Sequence, residues 1–328
     1  MKKDREANNF IFLVMIVLLI VAMLVSFVIG RYDISVIDLV LGRTFDTAVS
    51  KVLINIRLPR IVLAVLVGGA LSVAGCSFQT VFHNPMASPD ILGASSGACF
   101  GAALAILLNM PHAMIVLFSF VFGLSTIVLV YVINLFAKNR SIVNLLLAGI
   151  VVGSLFSAAT SFVKLVADTD NALPQITYWL MGSLSGAKID DMISALVILA
   201  VGTIPLMLLR WRMNFLTCPD EEATAMGINA GLLRIVVIVC ATLLTATCVS
   251  FSGMIGWVGL AVPHFCRFMV GNNIKKLLPA SMLSGAIFLL IIDNISRNLL
   301  IVEIPIGILT AFVGAPFFIV MLIRGDRA

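Results

Sequence analysis

Charged residues are scarce in this chain: Asp, Glu, Lys and Arg make up only 11% of its 328 residues, against about 25% in an ordinary soluble domain. It is also 61% hydrophobic, more than a soluble core of this size can hide. A water-soluble globular protein is therefore excluded. A G-x-x-x-x-G-K-[ST] phosphate loop is missing as well, so the chain does not bind nucleotide by that route. The six cysteines, Cys76, Cys99, Cys218, Cys240, Cys248 and Cys266, contain no C-x-x-C pair. Four lie in apolar runs, where the thiol acts as a small hydrophobe, and neither a disulfide framework nor a metal site is expected. His83, His112 and His264 have no metal-ligand spacing. The middles of the apolar runs hold no ionisable residues, which a proton- or sodium-coupled carrier needs. They also hold no His/Asp/Glu constellation for an intramembrane enzyme. A transporter with neither coupling charges nor its own ATP site needs a separate engine.

What the chain does have is apolar length. Candidate spans fall at 10–29, 60–81, 91–108, 113–136, 142–166, 191–209, 231–251, 254–270, 279–299 and 304–323. A spanning helix needs about 20 apolar residues, so ten spans fill the chain as one transmembrane domain over 1–328. Ten spans put both termini on the same side. The apolar run after Met1-Lys-Lys-Asp-Arg-Glu is longer than a signal-peptide core and lacks a cleavage site, so it reads as an uncleaved first helix. With a cytoplasmic N-terminus, thirteen Lys and Arg fall inside and eight outside, in the sense of the positive-inside rule. The inside set is Lys2, Lys3, Arg5, Lys138, Arg140, Arg210, Arg212, Arg234, Arg267, Lys275, Lys276, Arg324 and Arg327. The outside set is Arg31, Arg43, Lys51, Arg57, Arg60, Lys164, Lys188 and Arg297.

Small residues punctuate the spans. Gly93, Gly97 and Gly101 form a ladder on one helix face, the pattern that lets helices approach closely in lipid. Asn84-Pro-Met-Ala-Ser-Pro89 just before it reads as a turn. Arg60-Ile-Val and Arg234-Ile-Val open the second and seventh spans, a faint echo of the inverted repeats common in transporters.

Three segments stand out as carriers of function. Between spans six and seven runs Cys218-Pro-Asp-Glu-Glu-Ala-Thr-Ala-Met-Gly227, then Asn229. Acids suit a first helical turn, Gly227 a C-terminal stop and Asn229 an N-cap. The result is either a helical docking protrusion or a plain connecting loop. At the other face, Arg57-Leu-Pro-Arg60 opens span two and Arg297 closes span nine. They are either snorkelling anchors or partners for external carboxylates, and Asp293 lies four residues before Arg297, in reach of it on one helical face. Finally, Asp168–Asp191 encloses an apolar stretch, Leu173–Gly182, too short to span. It either lines a cavity or anchors Tyr178 and Trp179 at the interface.

The residues resemble one known family, the permeases of type II ATP-binding-cassette importers for iron siderophores, haem and vitamin B12. The similarity runs from about Ile56 to Arg324. It rests on Arg57-Leu-Pro-Arg60; Gly75 to Gln79 leading into Asn84-Pro-Met-Ala-Ser-Pro-Asp-Ile-Leu-Gly93; Ser96-Gly97-Ala98; and Tyr178-Trp179-Leu-Met-Gly182. It continues with Ala225-Met-Gly227; Gly253-Met-Ile-Gly-Trp-Val-Gly-Leu-Ala-Val-Pro-His264-Phe-Cys-Arg267; Glu303-Ile-Pro-Ile-Gly307; and Gly314-Ala-Pro-Phe317. Met86, Met226 and Trp257 depart from the family's commoner residues by apolar swaps only.

The resemblance implies an all-α membrane protein of about ten transmembrane helices with inverted-repeat-like halves, working as a dimer with an identical or related permease. It implies two cytoplasmic ATP-binding subunits and a periplasmic or lipid-anchored solute-binding protein, in a bacterial inner membrane with both termini cytoplasmic. ATP is then used by the partner, and this chain is no enzyme and holds no cofactor or metal. About 218–233 would form coupling helices, with Asp220, Glu221, Glu222, Ala225, Met226, Gly227 and Asn229 at the ATPase. Arg57, Arg60 and Arg297 would meet glutamates of the binding protein. The translocation path would pass Val143–Lys164, Leu173–Gly182 and Ile304–Phe317, including Tyr178, Trp179, Pro305 and Gly307. The expected cargo is a metal chelate, a ferric siderophore first, haem or cobalamin next. The alternative is a stand-alone secondary transporter of a small organic solute.

Overall fold

The computed structural model describes residues 2–30, 47–137, 142–218 and 220–324. Arg31, Arg43, Lys138, Arg140 and Arg327 lie outside the described residues, as do the side chains of Lys2, Lys3, Arg5, Asp220, Glu221 and Arg324. The described residues form thirteen α-helices and no strand. They are α1 (Lys2–Val28), α2 (Thr47–Val52), α3 (Leu58–Val81), α4 (Ala94–Leu107), α5 (His112–Phe136), α6 (Ile142–Val166) and α7 (Ala172–Leu180). After them come α8 (Ile189–Leu209), α9 (Asp220–Ala225), α10 (Ala230–Ser252), α11 (Val258–Val270), α12 (Ile274–Asn298) and α13 (Ile306–Arg324).

All ten expected spans are helices. Seven helical stretches are long and apolar enough to cross a membrane, and the apolar parts of α4, α11 and α13 are shorter. Several starts shift by a few residues, α12 beginning at Ile274 rather than 279, and two come late for a local reason. The run expected from 91 begins as a 3₁₀ turn, Pro89–Leu92, which ends on Gly93 in the left-handed region at φ 76°, so α4 starts only at Ala94. The run expected from 254 is irregular until Trp257, because Gly253 at φ 67° ends α10.

The bundle is built around α3. Of its most apolar stretch, 83% is enclosed, against 11% for α1 and 22% for α8. It packs along α12, α10, α11 and α8. Glycine makes this possible where two backbones meet. A Cβ on Gly68 would run into the carbonyl of Gly285 on α12, and one on Gly75 into the carbonyl of Gly259 on α11. In lipid, where water expulsion is absent, such close backbone packing supplies the attraction. α10, which carries the Arg234-Ile-Val echo, is the next most enclosed long span at 67% and packs against α3.

The glycine ladder divides. Gly97 and Gly101 lie on α4 against the carbonyls of Phe122 and Phe118 on α5, whereas Gly93 precedes the helix and abuts Gly153 on α6. Gly153 is near the middle of the 25-residue α6, so α4 begins at mid-length of its neighbours. Gly259 meets Leu71 and Gly75, well inside α3, so α11 also begins within the bundle. Irregular backbone at such depth is tolerated only where protein or a cavity covers it.

Candidate functional site

One end of the bundle holds a buried ionic cluster. Arg57 and Arg60 flank the start of α3, and Asp293 and Arg297 sit near the end of α12. Glu303 lies in the α12–α13 loop. Arg60 donates from Nε to Asp293 Oδ1 at 2.9 Å and from Nη1 to both Glu303 carboxylate oxygens at 3.0 Å. Arg297 Nε lies 3.8 Å from Asp293 Oδ2. Arg297 also donates to the Ser26 carbonyl at 2.9 Å and to Asn294 Oδ1. Arg57 donates to the carbonyls of Phe27, and of Val28 at 3.0 Å, at the end of α1. The cluster thus ties α1, α3, α12 and the α12–α13 loop together.

The three arginines expected at this face are brought together here, but none is open to solvent: Arg57, Arg60 and Arg297 are 4%, 6% and 6% exposed. The expected Asp293–Arg297 pairing is present, yet the closer partner of Asp293 is Arg60. Sequence reasoning missed Glu303, Asn294 and Ser26 as members. A signal existed, since an acid inside an apolar helix calls for a named counter-ion.

The other end carries the helical protrusion. The 3₁₀ helix Arg212–Thr217 leads through Cys218 to α9. Its floor is tied down: His83 Nε2 bonds the Leu216 carbonyl, and Asn214 Oδ1 accepts from the Ile274 amide at 2.9 Å. α9 stops as expected, on Gly227 at φ 76°, with the Gly227 amide donating to the Thr224 carbonyl at 2.9 Å. Asn229 caps α10 as expected, its Oδ1 accepting from the Leu232 amide at 2.9 Å. Ala223 is fully buried and anchors the protrusion, while Glu222, Ala225, Met226 and Gly227 face outward. Deeper at this end, Arg267 Nη1 donates to Gln79 Oε1 at 2.6 Å.

Tyr178, Trp179, Pro305 and Gly307 gather around a backbone junction. The Ile306 amide donates to the Gly182 carbonyl at 2.8 Å, Gly307 to Met181 at 3.1 Å, and Ser183 to Ser252 at 2.8 Å. A Cβ on Gly253 would collide with the Trp179 carbonyl, and one on Gly307 with the Met181 carbonyl. Trp179 packs on Ala98, Cys99 and Val249, and Tyr178 is 40% exposed. Beside it, α6 presents Ser154, Ser157 and Ser161 on an otherwise apolar outer face, and α7 presents Gln175. Hydroxyls in a row on an exposed transmembrane face suit water or a partner helix better than lipid.

The profile of the FecCD transport family matches residues 18–324. This chain belongs to the FecCD transport family. Among FecCD relatives it is 37% identical, over 94% of each chain, to the molybdate import system permease protein MolB of Haemophilus influenzae. It is 34% identical, again over 94% of each chain, to the hemin transport system permease protein HmuU of Yersinia pestis. Among solved structures, an inward-facing metal-chelate type ABC transporter superposes with a TM-score of 0.90 at 37% identity, covering 96% of this chain and 99% of that one. The FecCD fold and the family resemblance met in the sequence are therefore one and the same.

Proposed function

We propose that this chain is the membrane permease subunit of an ATP-binding-cassette importer that carries a metal chelate, a ferric siderophore first, with haem or cobalamin next. The observation that carries the reading is the near-complete superposition on a metal-chelate transporter at 37% identity. Relatives named for iron chelatin, Fe(3+)-citrate, hemin and cobalamin support the cargo class.

In this reading the chain sits in a bacterial inner membrane with both termini cytoplasmic, beside a second permease subunit. Two separate ATPase subunits burn the ATP, and this chain performs no chemistry and holds no cofactor. α9 and the start of α10 are the coupling element, with Asp220, Glu221, Glu222, Ala225, Met226, Gly227 and Asn229 at the ATPase surface. The outward-facing side chains of Glu222, Ala225 and Met226 support that assignment, and buried Ala223 seats the protrusion on the bundle. A solute-binding protein docks at Arg57, Arg60 and Arg297, whose guanidinium forks suit carboxylates. Cargo passes along the exposed hydroxyl face of α6, past Tyr178 and Trp179 and the Pro305–Gly307 start of α13. ATP-driven closure of the ATPase dimer moves the protrusion, and the helices open the path to alternate sides.

The deciding experiment is a tagged pull-down from native membranes in mild detergent, with bound proteins identified by mass. Recovery of an ATPase bearing a phosphate loop, with a solute-binding protein, is expected. A chain that comes down alone across several detergents overturns the importer reading in favour of a stand-alone transporter.

A further inference from the structure

Arg60 is an arginine with one hand empty. Its Nε serves Asp293 and its Nη1 serves Glu303, but Nη2 is buried with no hydrogen-bond partner. A buried donor left unmade costs free energy that an incoming acceptor recovers.

The two acids are not equally held. The side chain of Asp293 is 0% exposed and sits on a helix inside the bundle, whereas that of Glu303 is 24% exposed and sits on a loop. Just before it the loop presents apolar Ile301 and Val302, 94% and 74% exposed. Just after it the backbone is stitched into the bundle. Ser296 Oγ donates to the Ile304 carbonyl at 2.6 Å, and the amides of Ile306 and Gly307 bond Gly182 and Met181 at the end of α7. Only two residues separate Glu303 from the first bond to that junction.

We propose that Glu303 holds on Arg60 the place of a carboxylate supplied by an acidic protein partner, so that docking is an exchange of carboxylates that releases the 303–307 strap from α7. The proposal rests on the docking role given above to Arg57, Arg60 and Arg297, and it removes the difficulty that Arg60 is buried. The partner's acid enters where Glu303 leaves, Nη2 gains an acceptor, and the exposed tip at Ile301 and Val302 is covered by the same partner. Loss of the Glu303 anchor loosens Ile304–Gly307, and with it the contact to the loop that follows Trp179. Docking is thereby communicated to the proposed path without any movement of Asp293.

The test uses the full chain in lipid nanodiscs and the solute-binding protein recovered in the pull-down. Glu303→Gln keeps the size of the side chain and removes the competing charge. The expected result is binding about tenfold tighter, since a charged competitor of this kind is worth about 1.4 kcal/mol or more. Amide hydrogen exchange at Ile306 and Gly307 should also rise in E303Q without partner, and in the unaltered chain when partner is added. Arg60→Lys, which keeps the charge for Asp293 but loses the fork, should weaken binding at least tenfold. If R60K binds normally, the docking reading falls and the exchange with it. If R60K is weakened while E303Q binds equally or more weakly, or exchange at Ile306 and Gly307 stays flat on docking, the arginine docks but no exchange occurs. Recovery of phospholipid instead of a protein partner at this face also overturns the proposal.

Discussion

The guanidinium of Arg60 and the carboxylate of Asp293 meet at 2.9 Å inside the bundle, 233 residues apart in sequence. Removing one member of such a pair leaves the other charge buried without compensation, at a cost of about 3–5 kcal/mol. Asp293→Ala is expected to lose about that much, since it also leaves Arg60 and Arg297 facing each other. Asp293→Asn should lose less, because the amide oxygen still accepts. Thermal unfolding in detergent, followed by tryptophan fluorescence, checks the order; equal melting of D293A and the unaltered chain would show that the pair contributes nothing.

At the α3–α11 crossing, Gly75→Ala should destabilise by about 1–3 kcal/mol, the usual cost of forcing extra volume into a packed interior, because its Cβ meets backbone that has nowhere to go. Gly256→Ala is the control, as nothing lies within 4 Å of the added carbon. The same melting assay should separate the two.

The protrusion offers a prediction about coupling. Charge reversal at Glu221 and Glu222 should weaken ATPase association while the chain still inserts, and co-purification at equal expression reads it out. Asn229→Ala should loosen the start of α10 by about 1 kcal/mol, the usual worth of an N-cap, and lower coupled ATP hydrolysis without abolishing association.

Much of this was legible in the residues. Ten apolar runs became ten helices because length and hydropathy alone decide a span. Gly227 and Asn229 were legible because helix stops and caps are local chemistry, complete within four residues. What escaped was everything set by distant partners. Nothing near Arg60 in sequence announces Asp293 and Glu303, so the arginines read as surface groups. The late starts of α4 and α11 escaped too, because hydropathy does not register the left-handed Gly93 or the irregular stretch from Gly253. Tyr178 and Trp179 were legible as part of a short apolar segment, but the backbone stitching of Gly182 to Ile306 has no signature in side-chain order.

The central place of α3 has a consequence for how the chain is made. Its partners α10, α11 and α12 all follow it by well over a hundred residues. At about 5–20 residues per second of synthesis, Asp293 emerges roughly 10–50 s after Arg60. During that interval α1 is already made, and it supplies the carbonyls of Phe27 and Val28 to Arg57. The nascent protein therefore passes through a stage in which Arg60, on its most enclosed helix, still waits for Asp293. Translation speed between α3 and α12 sets how long the membrane insertion and degradation machinery has to act on it.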